Sequence, residues 1–314
     1  MGEPAGRITP LEELVNIPEF EETARRRLNS ASFGLIAGSD RRAFERITLR
    51  PRMMVNTTKL DLTATLFGQP MFAPILVGPV SQQKRFHPEG ELATARGAAA
   101  AKAIMVIADR PDDPVDKITA QAKGLVWYQV APEPDVEAVR GRAREAVAAG
   151  CSAVCLTAGG WDWAAVDRFR QGLPAPLLLK GVMSPEEARA AIGHGVQGLV
   201  VSSYVSGSAG GSGGGYASSI EVLPGIVQAV AGKAPVLIDG SFRRGSDVLV
   251  ALALGASAVM VARPAMWALA GYGADGVQHL VEMLQTELAR DMAMCGKVNL
   301  KAIDGTLVRL HRFA

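Results

Sequence analysis

The chain has 314 residues, 48% hydrophobic and 20% charged, with 33 basic against 31 acidic side chains and a net charge of +2. A chain of that length can bury a large core, and its balanced charge, with no basic block, argues against nucleic acid as a partner. No apolar run is long enough to span a membrane, and the opening MGEPAGRITPLEEL has no apolar core for a leader peptide.

Residues 1–72 read as an N-terminal helical and capping segment, with LEELVNIPEFEETARRRL as helix and LDLTATLFGQPM as a short capping hairpin. From residue 73 one unit recurs: a short apolar run ends in Gly, Ser, Thr, Asp or Ala, and a helical pattern follows. The runs are PILVG (74–78), AIMVIA (103–108), GLVWYQV (124–130), AVCLT (153–157), PLLLKG (176–181), GLVVS (198–202), PVLIDG (235–240) and SAVMVA (257–262). Unbroken apolar runs suit parallel strands covered on both faces. Among the helices, SPEEARAAIGHG places Ser184 as N-cap, Pro185 at the first position, Glu187 for a capping box and Gly195 beyond the end. Eight alternations predict an α/β (β/α)8 TIM barrel over 73–264 rather than an open doubly wound sheet. Residues 265–314 are expected to form closing helices, and no linker divides 1–314. Cys151 and Cys155 would stand about 13 Å apart along a strand, too far for a disulfide, which fits a cytoplasmic protein.

Such a barrel works at the C-terminal ends of its strands. Lys180 lies inside an apolar run, so it requires an anionic partner. DGSFRRG and VARP supply Arg243 and Arg263 after the last two strands, where barrels hold phosphate. Each guanidinium can grip phosphate by two hydrogen bonds, so a phosphate-bearing cofactor is expected. The alternative for Arg243 is a surface ion pair. No histidine pair has metal-ligand spacing, so no metal is expected.

The stretches LPAPLLLKGVMSPEEARAAIGHGVQGLVVS and PVLIDGSFRRGSDVLVALALGASAVMVARP resemble the FMN-dependent α-hydroxyacid oxidase and dehydrogenase family, to which glycolate and lactate oxidases belong. FERITLRPRMM, FGQPMFAPILVGPV and HPEGELATARGAAAA match its earlier motifs, and the resemblance covers roughly residues 9–305. It implies FMN at the strand ends of a (β/α)8 barrel, a small-molecule substrate and a homo-oligomer, a tetramer by family pattern. Carried over residue by residue, it implies that Pro79, Val80 and Ser81 lie beside the flavin ring, and that Gln129 and Thr157 contact it. Lys180 would face N1 of the flavin. Ser202 also falls within the cofactor set, with Asp239, Gly240, Ser241 and Arg243 at the ribityl chain and phosphate. Arg263 would be the second phosphate arginine. Ala108 stands where the family has a serine, and Ala262 where it has a glycine.

The substrate half departs from that pattern. The family ends its sixth strand with Ser-Asn-His-Gly, and its histidine takes a proton from the hydroxyacid; here Ser202-Ser203-Tyr204-Val205 stands there. Gly207 replaces an arginine that pairs with the substrate carboxylate, Gly34 and Ala131 replace tyrosines, and the loop after the fourth strand is shortened. A phenol, with an ordinary pKa of about 10, donates protons near neutral pH rather than accepting them. Tyr204 is therefore expected to act as acid or orienting group. Arg110, preceded by Asp109, is expected to bind an anionic substrate or else to pair with a neighbouring carboxylate. The Gly/Ser-rich stretch 205–215 reads as a remade lid or as a degenerate segment. The expected function is an FMN-dependent oxidoreductase with a remodelled site for a non-standard, anionic small molecule. The alternatives are a non-catalytic flavoprotein or partner subunit of a biosynthetic complex, and a hydroxyacid oxidase with a relocated base.

Overall fold

All eight apolar runs become parallel strands of a closed barrel in the computed structural model, which describes residues 8–38, 40–204 and 218–311. The barrel strands are numbered β1 (Ile75–Val77), β2 (Met105–Ile107), β3 (Val126–Val130), β4 (Val154–Thr157), β5 (Leu177–Val182), β6 (Gly198–Val201), β7 (Val236–Asp239) and β8 (Ala258–Val261). Each pairs with the next, and β8 closes the ring on β1. The helices that follow them are α1 (Gly90–Ala100), α2 (Val115–Ala122), α3 (Val136–Ala148), α4 (Trp163–Arg170), α5 (Pro185–Gly193), α6 (Ser219–Val230), α7 (Gly245–Ala253) and α8 (Arg263–Met294). Ser184 caps α5 with the expected capping box to Glu187.

Strand alternation explains why the runs are apolar throughout. Leu76, Val106, Trp127, Cys155, Leu178, Val200, Leu237 and Met260 form one buried cluster, the barrel interior. Their strand neighbours, such as Val77, Ile107, Tyr128, Leu156, Leu179 and Ile238, join the larger cluster shared with the helices. The hairpin of Ala64–Leu66 and Gln69–Met71 plugs the N-terminal end of the barrel. Its Phe67 ring meets Trp127 edge-on at 5.7 Å. At Gly198 a Cβ would come within 3.0 Å of Phe67 and 2.9 Å of Leu178, so this close approach admits only glycine. With that end filled, the open end is the C-terminal one. By the same alternation Gln129, Thr157, Lys180, Ser202 and Asp239 are directed to the barrel axis there.

The N-terminal helix Ile17–Arg27 is capped by Asn16 and lays Phe20 against Tyr272 of α8. Helix α8 kinks at Gly273, whose φ of 61° suits glycine and whose missing side chain leaves room for the His87 ring. The expected closing helices end at Met294. Beyond it come two short 3-10 turns and a strand, Val308–Leu310, which pairs antiparallel with Ile47–Leu49. The sequence of that tail has no 3.6-residue apolar period, and its backbone groups pair with the N-terminal segment instead. The Gly/Ser-rich stretch read as a lid lies outside the described residues, as does Gly207. No helix among the described residues is long and apolar enough to cross a membrane. All three cysteines are free and buried.

Candidate active site

The centre of the open end is organised by Lys180. Its side chain is 4% exposed. The anionic partner that such a buried cation requires is Asp239, at the end of β7, with Nζ to Oδ2 at 2.9 Å. Nζ also donates to Ser202 Oγ at 2.9 Å, and the same oxygen accepts the Tyr204 backbone N–H at 3.2 Å. Ser202 thus fixes where the chain leaves β6. The half-exposed Tyr204 ring lies over Lys180, with Nζ 5.0 Å from its centroid. On the adjoining strands, where Thr157 stands beside Lys180 in register, Gln129 Nε2 donates to Thr157 Oγ1 at 2.8 Å, and its Oε1 accepts Asp109 N–H at 3.3 Å. Ala108 is buried at the end of β2.

The β7–α7 and β8–α8 turns concentrate positive charge. Gly240 and Ser241 both have positive φ, 108° and 65°. They turn the chain so that Phe242 and Arg243 fold inward, where Phe242 is 2% and Arg243 6% exposed. The Arg243 guanidinium stacks on Trp267 at 4.4 Å and donates to the Phe242 carbonyl at 2.8 Å. Burial and the neighbouring Arg263 lower its pKa to about 9. Burial likewise lowers that of Arg263, which donates to the Gly38 carbonyl at 2.5 Å. A guanidinium does not give up its proton at neutral pH, so the lowered Arg243 value reflects a buried cation held beside a second, partly buried one. An anion beside them would offset that repulsion. The donor set therefore fits a phosphate group, and Arg263 follows Ala262 into the first turn of α8, beside the positive end of that helix.

Pro79, Val80 and Ser81 follow β1, and the Val80 carbonyl is held by Gln83 Nε2 at 3.0 Å. Asp109 and Arg110 are engaged away from the Lys180 group. Asp109 accepts the Tyr128 hydroxyl at 3.1 Å and faces Arg142 of α3 at 3.2 Å. Arg110, in the left-handed region with φ 52°, pairs with Glu133 at 2.7 Å. Glu133 is shared with Arg142 at 2.8 Å. Of the expected catalytic set, the structure brings Tyr204 beside Lys180 and Ser202. It gives Asp109 and Arg110 to a network on the helix side of β3, because Tyr128 points outward in the strand's alternation. Burial, then the Asp109 charge, pushes the Tyr128 hydroxyl up to about 12. Among the described residues no group of three or more His, Cys, Asp or Glu is placed to hold a metal.

Sequence reasoning missed Arg41, Gln83, Glu133 and Arg142. Gln83 is fully buried and accepts Thr94 Oγ1 at 2.6 Å. A polar side chain between the first strand and its helix was the only signal for it. Arg41 stands 200 residues from its carbonyl acceptor on Ser241, a distance no local pattern spans.

Comparison with known proteins agrees with this geometry. The family model described as FMN-dependent dehydrogenase matches residues 30–159 and 158–310. L-lactate oxidase of Nostoc sp. is 31% identical, over 96% of this chain and all of that protein. Glycolate oxidase of Spinacia oleracea is 31% identical, over 93% and 94%. A crystal structure of mandelate oxidase with benzoyl-formic acid superposes with a TM-score of 0.85 at 33% identity, over 96% of this chain and all of that one. A closed (β/α)8 barrel with these relatives is thus that of a flavin oxidoreductase. The chain belongs to the FMN-dependent dehydrogenase family, that of the α-hydroxyacid oxidases, and FMN is its cofactor. The alignment with L-lactate oxidase runs over 369 positions, more than the 314 residues here, so that relative carries segments this chain lacks.

Proposed function

We propose that this oxidoreductase acts on a small anionic molecule other than the usual short 2-hydroxyacids, through a substrate half rebuilt around Tyr204. The observation that carries the reading is a phenol at the end of β6, lying over Lys180, where the family has its histidine base. FMN, when bound, supplies a two-electron acceptor. Arg243 and Arg263 would hold its phosphate, Asp239, Gly240 and Ser241 the ribityl side, and Pro79 to Ser81, Ala108, Gln129, Thr157 and Lys180 the ring. Ser202 and Ala262 shape the turns behind those contacts.

The chain's own residues then divide the remaining work. Lys180 keeps a fixed positive charge at the axis, tempered by Asp239. Ser202 holds the Tyr204 backbone, so the ring stays over that charge. The Tyr204 hydroxyl donates a hydrogen bond or a proton to a substrate oxygen. An anion reaching Arg110 would have to displace Glu133, which now neutralises it, so Arg110 assists substrate binding only if that loop rearranges.

The test is anaerobic reduction of the bound flavin, read as bleaching of its visible band, across a panel of small anions that includes glycolate, lactate and mandelate. The reading expects a different member of the panel to bleach the flavin, and Tyr204→Phe to slow that bleaching. Equal bleaching by Tyr204→Phe and the parent would remove Tyr204 from the chemistry.

A further inference from the structure

We infer that Arg41, in the N-terminal segment, is the positioning residue of the phosphate turn, and that it gives this protein its preference for FMN over the unphosphorylated flavin. The inference rests on the assignment of the phosphate to Arg243 and Arg263.

The β7–α7 turn has two successive residues at positive φ, and the second is Ser241. A serine stays in that region only where its surroundings hold it. Two groups do so. Asp247, in the first turn of α7, accepts the backbone N–H groups of Arg243 at 2.8 Å and Arg244 at 2.9 Å. Arg41 closes the other side: its Nη1 donates to the Ser241 carbonyl, and its two terminal nitrogens reach the Asp247 carboxylate at 2.9 and 3.1 Å. A planar guanidinium holds both carboxylate oxygens through two nitrogens while one of them also reaches the carbonyl, whereas an ammonium carries its donors on a single nitrogen and cannot form that fork. The fork is steadied by Phe44, whose ring lies 5.4 Å from the guanidinium and meets Phe242 edge-on at 5.2 Å.

The same segment ties down the second phosphate arginine. The carbonyl of Gly38 accepts Arg263, and its N–H donates to Glu21 at 2.8 Å. Glu21, Gly38 and Arg41 therefore wall the phosphate corner from the N-terminal side. Arg41 adds its own charge to the cations that press on Arg243, while Glu21 and Asp247 offset it. The corner is built to be completed by an anion, and the shape of its turn depends on Arg41, whose fork is engaged by Ser241 and Asp247 of the turn.

The experiment titrates flavin-free full-length protein with FMN and with riboflavin, followed by quenching of flavin fluorescence, for the parent, Arg41→Gln and Arg41→Lys. Arg41→Gln should weaken FMN about tenfold and change riboflavin by less than about twofold. Arg41→Lys should fall between, because it keeps the charge and loses the fork. Unchanged FMN affinity in Arg41→Gln, or equal losses for both flavins, would overturn the inference, since a merely structural arginine does not distinguish the two. If Arg41→Gln does not fold, Arg41→Lys decides by the same ratio. A parent that binds FMN no better than riboflavin would overturn the phosphate assignment itself, an outcome distinct from the failure of Arg41.

Discussion

The two halves of the barrel mouth were built under different constraints. The phosphate corner, from Asp239 to Arg263, is packed on every side: Trp267 under Arg243, Asp247 behind the turn, and Gly38 and Arg41 in front of it. Its residues match the family motif nearly one for one. The proposed substrate side, from Ser202 to Tyr204 and across to Ala131, carries a half-exposed phenol. A corner that holds a charged cofactor has few ways to change, because each substitution strands a buried charge. A mouth that faces solvent can exchange its side chains at small cost to the fold. The difference teaches that packing constrains one half of the mouth far more than the other, which is what the proposed function requires.

Removing the cation that joins the halves should have the largest effect. Lys180→Met leaves the partly exposed Asp239 without its nearest partner and should cost about 3 kcal/mol of stability, read as a lower midpoint in urea. The double variant Lys180→Met/Asp239→Leu should recover much of the loss, and no recovery would break the claim that this pair is the junction. On the substrate side, Tyr204→Phe should keep flavin bound and slow reduction by the reactive member of the anion panel roughly 10²-fold. Tyr204→His should not restore oxidation of glycolate or lactate, because Gly207 supplies no carboxylate-binding arginine; restoration would mean that the ancestral pocket survives. At the phosphate corner, Arg263→Ala should lower FMN affinity by about 1.5–3 kcal/mol, roughly 10- to 100-fold. The smallest effect tests the network beside Asp109. The Tyr128 hydroxyl, raised to about 12 by burial and by Asp109, contributes stability that is complete below the ordinary tyrosine value and lost as pH rises through about 12. Ultraviolet titration at high pH, compared with Tyr128→Phe, should show one phenol ionising about two units late.

The barrel was legible because its code is local. Eight apolar runs each ended near the residue where the structure ends the strand, and Ser184, Pro185 and Glu187 announced α5 from four residues. The demand of Lys180 for an anion was legible too, as a buried cation has few alternatives, although the alternation alone did not name Asp239. What stayed hidden is long-range. Arg41 and Ser241 meet only after the barrel closes, and Glu133 meets Arg110 and Arg142 from two different elements. The sequence offered Arg110 its chain neighbours Asp112 and Asp113 as alternative partners, but Lys84 takes both of those and Arg110 pairs with Glu133 instead. The tail beyond Met294 was read as helix because α8 was, yet its partner strand lies about 260 residues earlier, outside any local window.

Anaerobic mixing of the FMN-loaded protein with glycolate, lactate and mandelate, each in turn, tests the central claim most directly. A substrate half rebuilt around Tyr204 predicts that none of the three bleaches the flavin at a useful rate, while a chemical reductant bleaches it fully. Rapid bleaching by any one of them would contradict the claim and place a working hydroxyacid site in a mouth that has lost its histidine.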